Sequence, residues 1–106
     1  MDVPEIGVEE LEHRLAAGAT LVDVREPDEY VQVRVPGGIL VPLETVPDRL
    51  ADLPTDGMFY VICAKGGRSR AAAEFLIAEG RDAVNVTGGT TAWVEADLPT
   101  DSGSPA

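Results

Sequence analysis

The spacing of apolar positions switches repeatedly between a helical and a strand period along the chain, and each switch predicts an element. Val8, Leu11, Leu15 and Ala16 recur at helical spacing and are followed by Gly18, which predicts a first helix over Val8–Ala17 ended by a left-handed glycine cap. Thr20–Val24 is a short β-type run stopped by the turn composition Arg25-Glu26-Pro27-Asp28, and a short helical turn is expected around Tyr30. Pro36-Gly37-Gly38 reads as a turn, Ile39–Val41 as a strand, Pro47–Leu53 as a short helix and Pro54–Gly57 as a second turn.

The run Phe59-Tyr60-Val61-Ile62-Cys63 is apolar at every position, the signature of a strand buried on both faces. An alanine-rich helix follows over Ser69–Glu79 with Gly80 as its cap. A strand over Ala83–Val86, a tight turn at Gly88-Gly89 and a last helix over Thr90–Ala96 complete the series. Strands alternating with helices predict an α/β fold with a mainly parallel central sheet and helices on both faces. From Leu98 onward the Pro, Thr, Ser and Gly content predicts a frayed end, so the chain divides into one domain over 1–98 and a flexible tail over 99–106.

Composition narrows the partners. With 106 residues the chain is long enough for one core, and 44% apolar but only 5% aromatic content describes a core of Val, Leu, Ile and Ala. Nineteen acidic against eight basic residues give a net charge of −11, which repels nucleic acid and anionic membrane surfaces. No segment approaches the length of an apolar membrane span, and the start lacks the basic and apolar regions of a signal peptide, so the expected location is cytoplasmic. One cysteine and one histidine exclude an internal disulfide and any ordinary zinc site made by this chain alone, and no cofactor is implied.

The candidate chemistry lies at Cys63, where a buried strand gives way to a glycine-rich basic loop, Ala64-Lys65-Gly66-Gly67-Arg68-Ser69, and then a helix. Unpaired N–H groups and the positive end of the helix dipole converge at such a junction. A thiol held there beside Lys65 and Arg68 is expected to ionise more readily than an ordinary cysteine. Lys65, Arg68 and Arg70 together supply three of the eight cations and would attract a small anion against the global field. Asp23 and Arg25, at the end of another strand, read as a structural ion pair or loop anchor on the same rim of the sheet. His13 reads as a solvated surface residue, and Trp93, Tyr30 and Phe75 as core or core-edge packing.

Four segments in order resemble the single-domain rhodaneses, a family of small sulfurtransferases. Val22–Tyr30 is similar to the family's first signature, Val35–Leu43 to its second, Cys63–Ser69 to its active loop and Gly88–Trp93 to its closing motif. The resemblance implies a rhodanese-like fold and makes Cys63 the nucleophile that carries a sulfane sulfur as a persulfide. The donor would be a small anion such as thiosulfate, and the acceptor a thiophilic small molecule or protein thiol. It also implies that the loop from Ala64 to Ser69 forms the cradle, that Arg68 helps order it and hold negative charge, and that Lys65 favours thiosulfate as donor.

The chain departs from the pattern at Arg34, where the family usually carries histidine, and at Gly38, where alanine is common; Arg34 adds a cation near the rim that bears on donor preference. Cysteine-dependent phosphatases and arsenate reductases offer a competing reading, but they place five residues between cysteine and arginine where this chain has four, Ala64 to Gly67. The shorter loop should close more tightly, around a sulfur atom rather than a tetrahedral phosphate. A module that binds an anion or relays sulfur without turnover is the third reading.

Overall fold

A strand that is apolar at every position needs cover on both sides, and the fold provides it. In the computed structural model, which describes residues 2–104, five strands form one parallel sheet: β1 (Glu5–Ile6), β2 (Leu21–Asp23), β3 (Ile39–Leu40), β4 (Met58–Ile62) and β5 (Asp82–Val86). Their order across the sheet is β1-β5-β4-β2-β3. The connections carry α1 (Val8–Ala16), α2 (Pro27–Gln32), a 3₁₀ helix (Leu43–Asp52) and α3 (Gly67–Ala78), and α4 (Gly89–Glu95) follows the last strand.

Parallel strands need right-handed crossovers, so connections running in opposite directions across the sheet lie on opposite faces. β1 to β2 runs one way and places α1 on one face. β3 to β4 and β4 to β5 run the other way and place the 3₁₀ helix and α3 together on the opposite face. The core divides accordingly. Phe59, Val61 and Cys63 pack with Val22, Val24, Val46, Ala72, Ala73 and Leu76, while Tyr60 and Ile62 pack with Leu11, Leu21, Val84, Val86 and Trp93. The period-two alternation of β4 thus sends Cys63 to the α3 face.

The sequence expectations of an α/β fold and a parallel sheet with helices on both faces hold. Gly18 and Gly80 take the positive φ (97° and 83°) foreseen for residues that end α1 and α3. Three local differences have physical causes. The edge strand β1 was not expected, because its two residues have no pattern of their own and pair with Asn85 and Val86 through tertiary placement. The helical segment after β3 begins at Leu43 rather than Pro47 and is 3₁₀, with Thr45 bonding back to Pro42 O through both its N–H (2.8 Å) and Oγ1 (2.7 Å). Helix α3 begins at Gly67, two residues early, because Gly66 adopts φ 108° as its N-cap.

Residues 99–103 make contacts of their own, while 105–106 lie outside the described residues. Trp93 Nε1 donates to Pro99 O (2.7 Å), Asp101 pairs antiparallel with Arg34, and the Gly103 N–H donates to Val31 O (2.7 Å). Among the described residues no helix is long and apolar enough to cross a membrane.

Candidate active site

Strand order fixes where a site can form. From β2 the chain moves outward to β3, and from β4 it moves outward to β5 on the other side, so the crevice between the carboxyl ends of β2 and β4 is the topological switch point. Asp23 is paired in register with Ile62, which brings Asp23–Arg25 and Cys63 to one rim as the sequence suggested.

Cys63 is buried at the floor of its loop, with its Sγ accepting a hydrogen bond from the Gly66 N–H (3.1 Å) and lying 3.3 Å from the Ser69 hydroxyl oxygen. Burial pushes the thiol pKa up, but the Ser69 hydroxyl and the N–H groups of Ser69, Gly66 and Lys65 outweigh it and hold the pKa below that of an ordinary cysteine. The loop can aim its N–H groups inward because its carbonyls are taken from behind. The N–H groups of Thr90 and Thr91, in the first turn of α4, donate to Cys63 O and Ala64 O, both at 2.9 Å. That approach demands glycine at 89, whose φ is 58°: a Cβ there would lie 2.3 Å from Cys63 O.

The cations of the loop are less free than the sequence suggested. Arg68 turns to α2 and grips the Glu29 carboxylate with two parallel bonds of 2.8 and 2.9 Å. These bonds, opposed by partial burial, hold the Glu29 pKa down at about 2. Arg70 lies 3.4 Å from Glu5 Oε2. Lys65 is exposed and makes no ion pair among the described residues, so beyond the N–H groups it is the loop's one cation without a carboxylate partner there. Gly67 is exposed at the start of α3, and Ala64 lines an open groove of about 250 Å³ with Arg25, Val33, Thr90 and Val94.

Asp23 and Arg25 form the expected structural pair. Both are buried, with Arg25 Nε and Nη2 on the two carboxylate oxygens at 3.0 and 2.9 Å, and Arg25 also donates to the carbonyls of Glu29 (3.3 Å) and Val33 (2.9 Å). The pair therefore anchors α2, and α2 carries the Glu29 that holds Arg68. No group of three or more His, Cys, Asp or Glu side chains able to hold a metal ion occurs among the described residues.

The family model for the rhodanese-like domain matches residues 7–96. The chain belongs to that family. A protein named sulfurtransferase from Allochromatium vinosum is 36% identical over 92% of this chain and 94% of its own length. The rhodanese-related protein of Thermoplasma volcanium superposes with a TM-score of 0.87 at 35% identity, covering 92% of this chain and 97% of that one. The thiosulfate sulfurtransferase of Pseudomonas aeruginosa superposes with a TM-score of 0.86 at 30% identity, over 96% of this chain and 21% of that longer one.

Both departures from the rhodanese pattern have a structural reading. The Arg34 guanidinium stacks over the Tyr30 ring (4.7 Å) and donates to Tyr30 O (2.9 Å) and Gly103 O (2.7 Å), so its charge is spent on main-chain carbonyls of α2 and the C-terminal segment. A Cβ at Gly38 would meet Leu21 Cδ2 at 3.4 Å, an ordinary contact, so space does not require glycine there.

Three residues of the rhodanese-like site were not anticipated. Glu29 and Gly89 lie within segments the sequence had marked, Val22–Tyr30 and the Gly88-Gly89 turn, but their action on the loop from distant elements was not foreseen. Asn85 did carry a signal: it is a polar residue within the buried run Ala83–Val86, and a buried polar side chain must find partners.

Proposed function

We propose that the chain is a sulfurtransferase in which Cys63 carries sulfur as a persulfide between a small anionic donor and an external acceptor. The observation that supports this most directly is the Cys63 Sγ held between the Gly66 N–H and the Ser69 hydroxyl inside a four-residue loop at the start of α3. The thiolate attacks the outer sulfur of thiosulfate, and the sulfur–sulfur bond of the donor breaks with its electron pair leaving on sulfite. The new terminal sulfur carries the negative charge. It is stabilised by the loop N–H groups, donors of a kind whose loss costs about 10²–10³ in rate at comparable oxyanion sites. An acceptor such as cyanide then attacks that sulfur, the Sγ–S bond breaks, thiocyanate leaves and the Cys63 thiolate is restored.

Lys65 and the loop from Ala64 to Ser69 bind the donor, while Arg68, locked on Glu29, keeps the loop in shape. Asp23 and Arg25 support the same frame. With no second cysteine in the chain, the persulfide has no internal thiol to discharge it. A cytoplasmic setting, where thiols are kept reduced, suits delivery to an outside acceptor.

The similarity to a thiosulfate sulfurtransferase and the lysine at position 65 favour thiosulfate as donor. The test is thiocyanate formation from thiosulfate and cyanide. Wild-type protein should complete many turnovers and Cys63→Ser none, whereas Cys63-dependent hydrolysis of an aryl phosphate would reverse the assignment.

A further inference from the structure

The hydroxyl that touches the Cys63 sulfur is claimed by a second acceptor. Ser69 Oγ lies 3.3 Å from Sγ but only 2.5 Å from Asn85 Oδ1. The orientation of the Asn85 amide is fixed from its other side, where Nδ2 donates to Glu5 Oε2 (2.8 Å) and to Gly66 O (3.2 Å), both of which can only accept. Oδ1 must therefore face Ser69, and the Asn85–Ser69 bond must be made by the Ser69 proton. A serine hydroxyl has one proton, so it cannot donate to Asn85 and to Sγ at the same time.

The two acceptors rank differently in the two charge states of the sulfur. A neutral thiol is a weak acceptor and can itself donate to Ser69 Oγ, which leaves the serine proton on Asn85. A thiolate or persulfide anion accepts strongly and has no proton to give, so it draws the hydroxyl away from Asn85. We propose that Asn85 is a positioning residue for Cys63, holding the Ser69 proton while the sulfur is neutral and releasing it by hydroxyl rotation when the sulfur is negatively charged. In the ionisation step the thiol proton leaves to water, Ser69 O–H turns from Oδ1 to Sγ, and no other bond is made or broken.

Asn85 thereby tempers the reactivity of Cys63 at rest and adds a donor when charge develops. The same residue ties Gly66 O, the carbonyl of the other residue that donates to Sγ, so both side-chain and main-chain donors meet on one amide. The charged groups around this relay are Lys65 and Arg68 on the loop, Glu29 against Arg68, the Asp23–Arg25 pair at the end of β2, and the Glu5–Arg70 pair behind Asn85. The inference rests on Cys63 as the working nucleophile, but its test reads ionisation and not sulfur transfer. A protein that ionises as described yet forms no persulfide would overturn the proposed function and leave this inference standing.

The chain offers an unusually direct readout, because Asn85 is its only asparagine and Gln32 its only glutamine. The Asn85 side-chain amide signals in a nitrogen–proton NMR spectrum should move with pH along the same curve as the iodoacetamide alkylation rate of Cys63. The movement should disappear in Ser69→Ala. Asn85→Ala, which frees the hydroxyl for the sulfur, should lower the inflection of the alkylation curve by about one pH unit, the scale of one hydrogen bond to a charged group. An Asn85 amide that stays still while Cys63 ionises, or that moves equally in Ser69→Ala, overturns the proposal even if Asn85→Ala cannot be purified folded. An alkylation curve that is unchanged or raised in Asn85→Ala does the same.

Discussion

Replacing Glu29 by glutamine removes one negative charge and leaves most of the local geometry in place. Glutamine retains the oxygen that accepts from the Glu26 N–H (2.9 Å) at the start of α2 and from Arg68 Nη1 (2.8 Å). It turns an NH₂ group toward Arg68 Nη2, where the carboxylate had accepted at 2.9 Å. Holding the Glu29 carboxyl at about 2 rather than 4.5 corresponds, at face value, to a pair contribution of about 3 kcal/mol. The two side chains are 30% and 38% exposed, so solvent screening reduces the expected loss to roughly 1–1.5 kcal/mol.

The sign follows from the depressed pKa. Glu29 contributes its full share above the unfolded value of 4.5, and the share is lost as pH falls through about 2 in the folded protein. Urea denaturation of wild type and Glu29→Gln at pH 7 should therefore give the full gap, with a Tm about 4–8 °C lower for the variant. Near pH 3 the gap should shrink to roughly half or less. A gap of the same size at both pH values would assign the effect to packing rather than charge, and no gap at pH 7 would refute the Arg68–Glu29 clamp.

Gly89→Ala should cost roughly 2–4 kcal/mol by chemical denaturation, because φ is 58° and the new Cβ would meet Cys63 O at 2.3 Å. Gly67→Ala, with nothing within 4 Å and no positive φ, should change stability by less than about 0.5 kcal/mol, and equal costs for the two would contradict the described approach of α4 to the loop. Arg34→Ala should release residues 99–103 and cost about 2 kcal/mol, since it removes two charge-assisted bonds to carbonyls. Hydrogen exchange at the Gly103 amide, which bonds Val31 O, should accelerate; an unchanged rate would count against the clamp.

What the sequence disclosed and what it withheld divide along the range of the interactions involved. The all-apolar run before Cys63, the glycine caps at 18 and 80 and the helical spacing from Val8 to Ala16 are local, and each led to its element within a residue or two. The strand-end position of Cys63 and the loop that follows it were equally legible. Glu29 was not, because its partner lies 39 positions away and nothing near either residue marks the pair. The same holds for the pairing of β1 with β5 and for Arg34, whose apparent place near the rim gave no hint that its charge would be absorbed by the C-terminal segment. Asn85 lay between these cases: its polarity inside a buried strand pointed to a partner, but only the folded chain reveals that the partner is Ser69.

The central claim is that a sulfur atom resides on Cys63 between donor and acceptor. Intact-mass measurement after incubation with thiosulfate and other sulfane donors, followed by peptide mapping, tests it most directly. The wild-type protein should gain the mass of one sulfur atom on the peptide containing Cys63, lose it when cyanide is added, and show neither change in Cys63→Ser. A wild-type mass that stays constant with every donor in excess, or a sulfur atom found on Cys63 that no thiophilic acceptor removes, would contradict it.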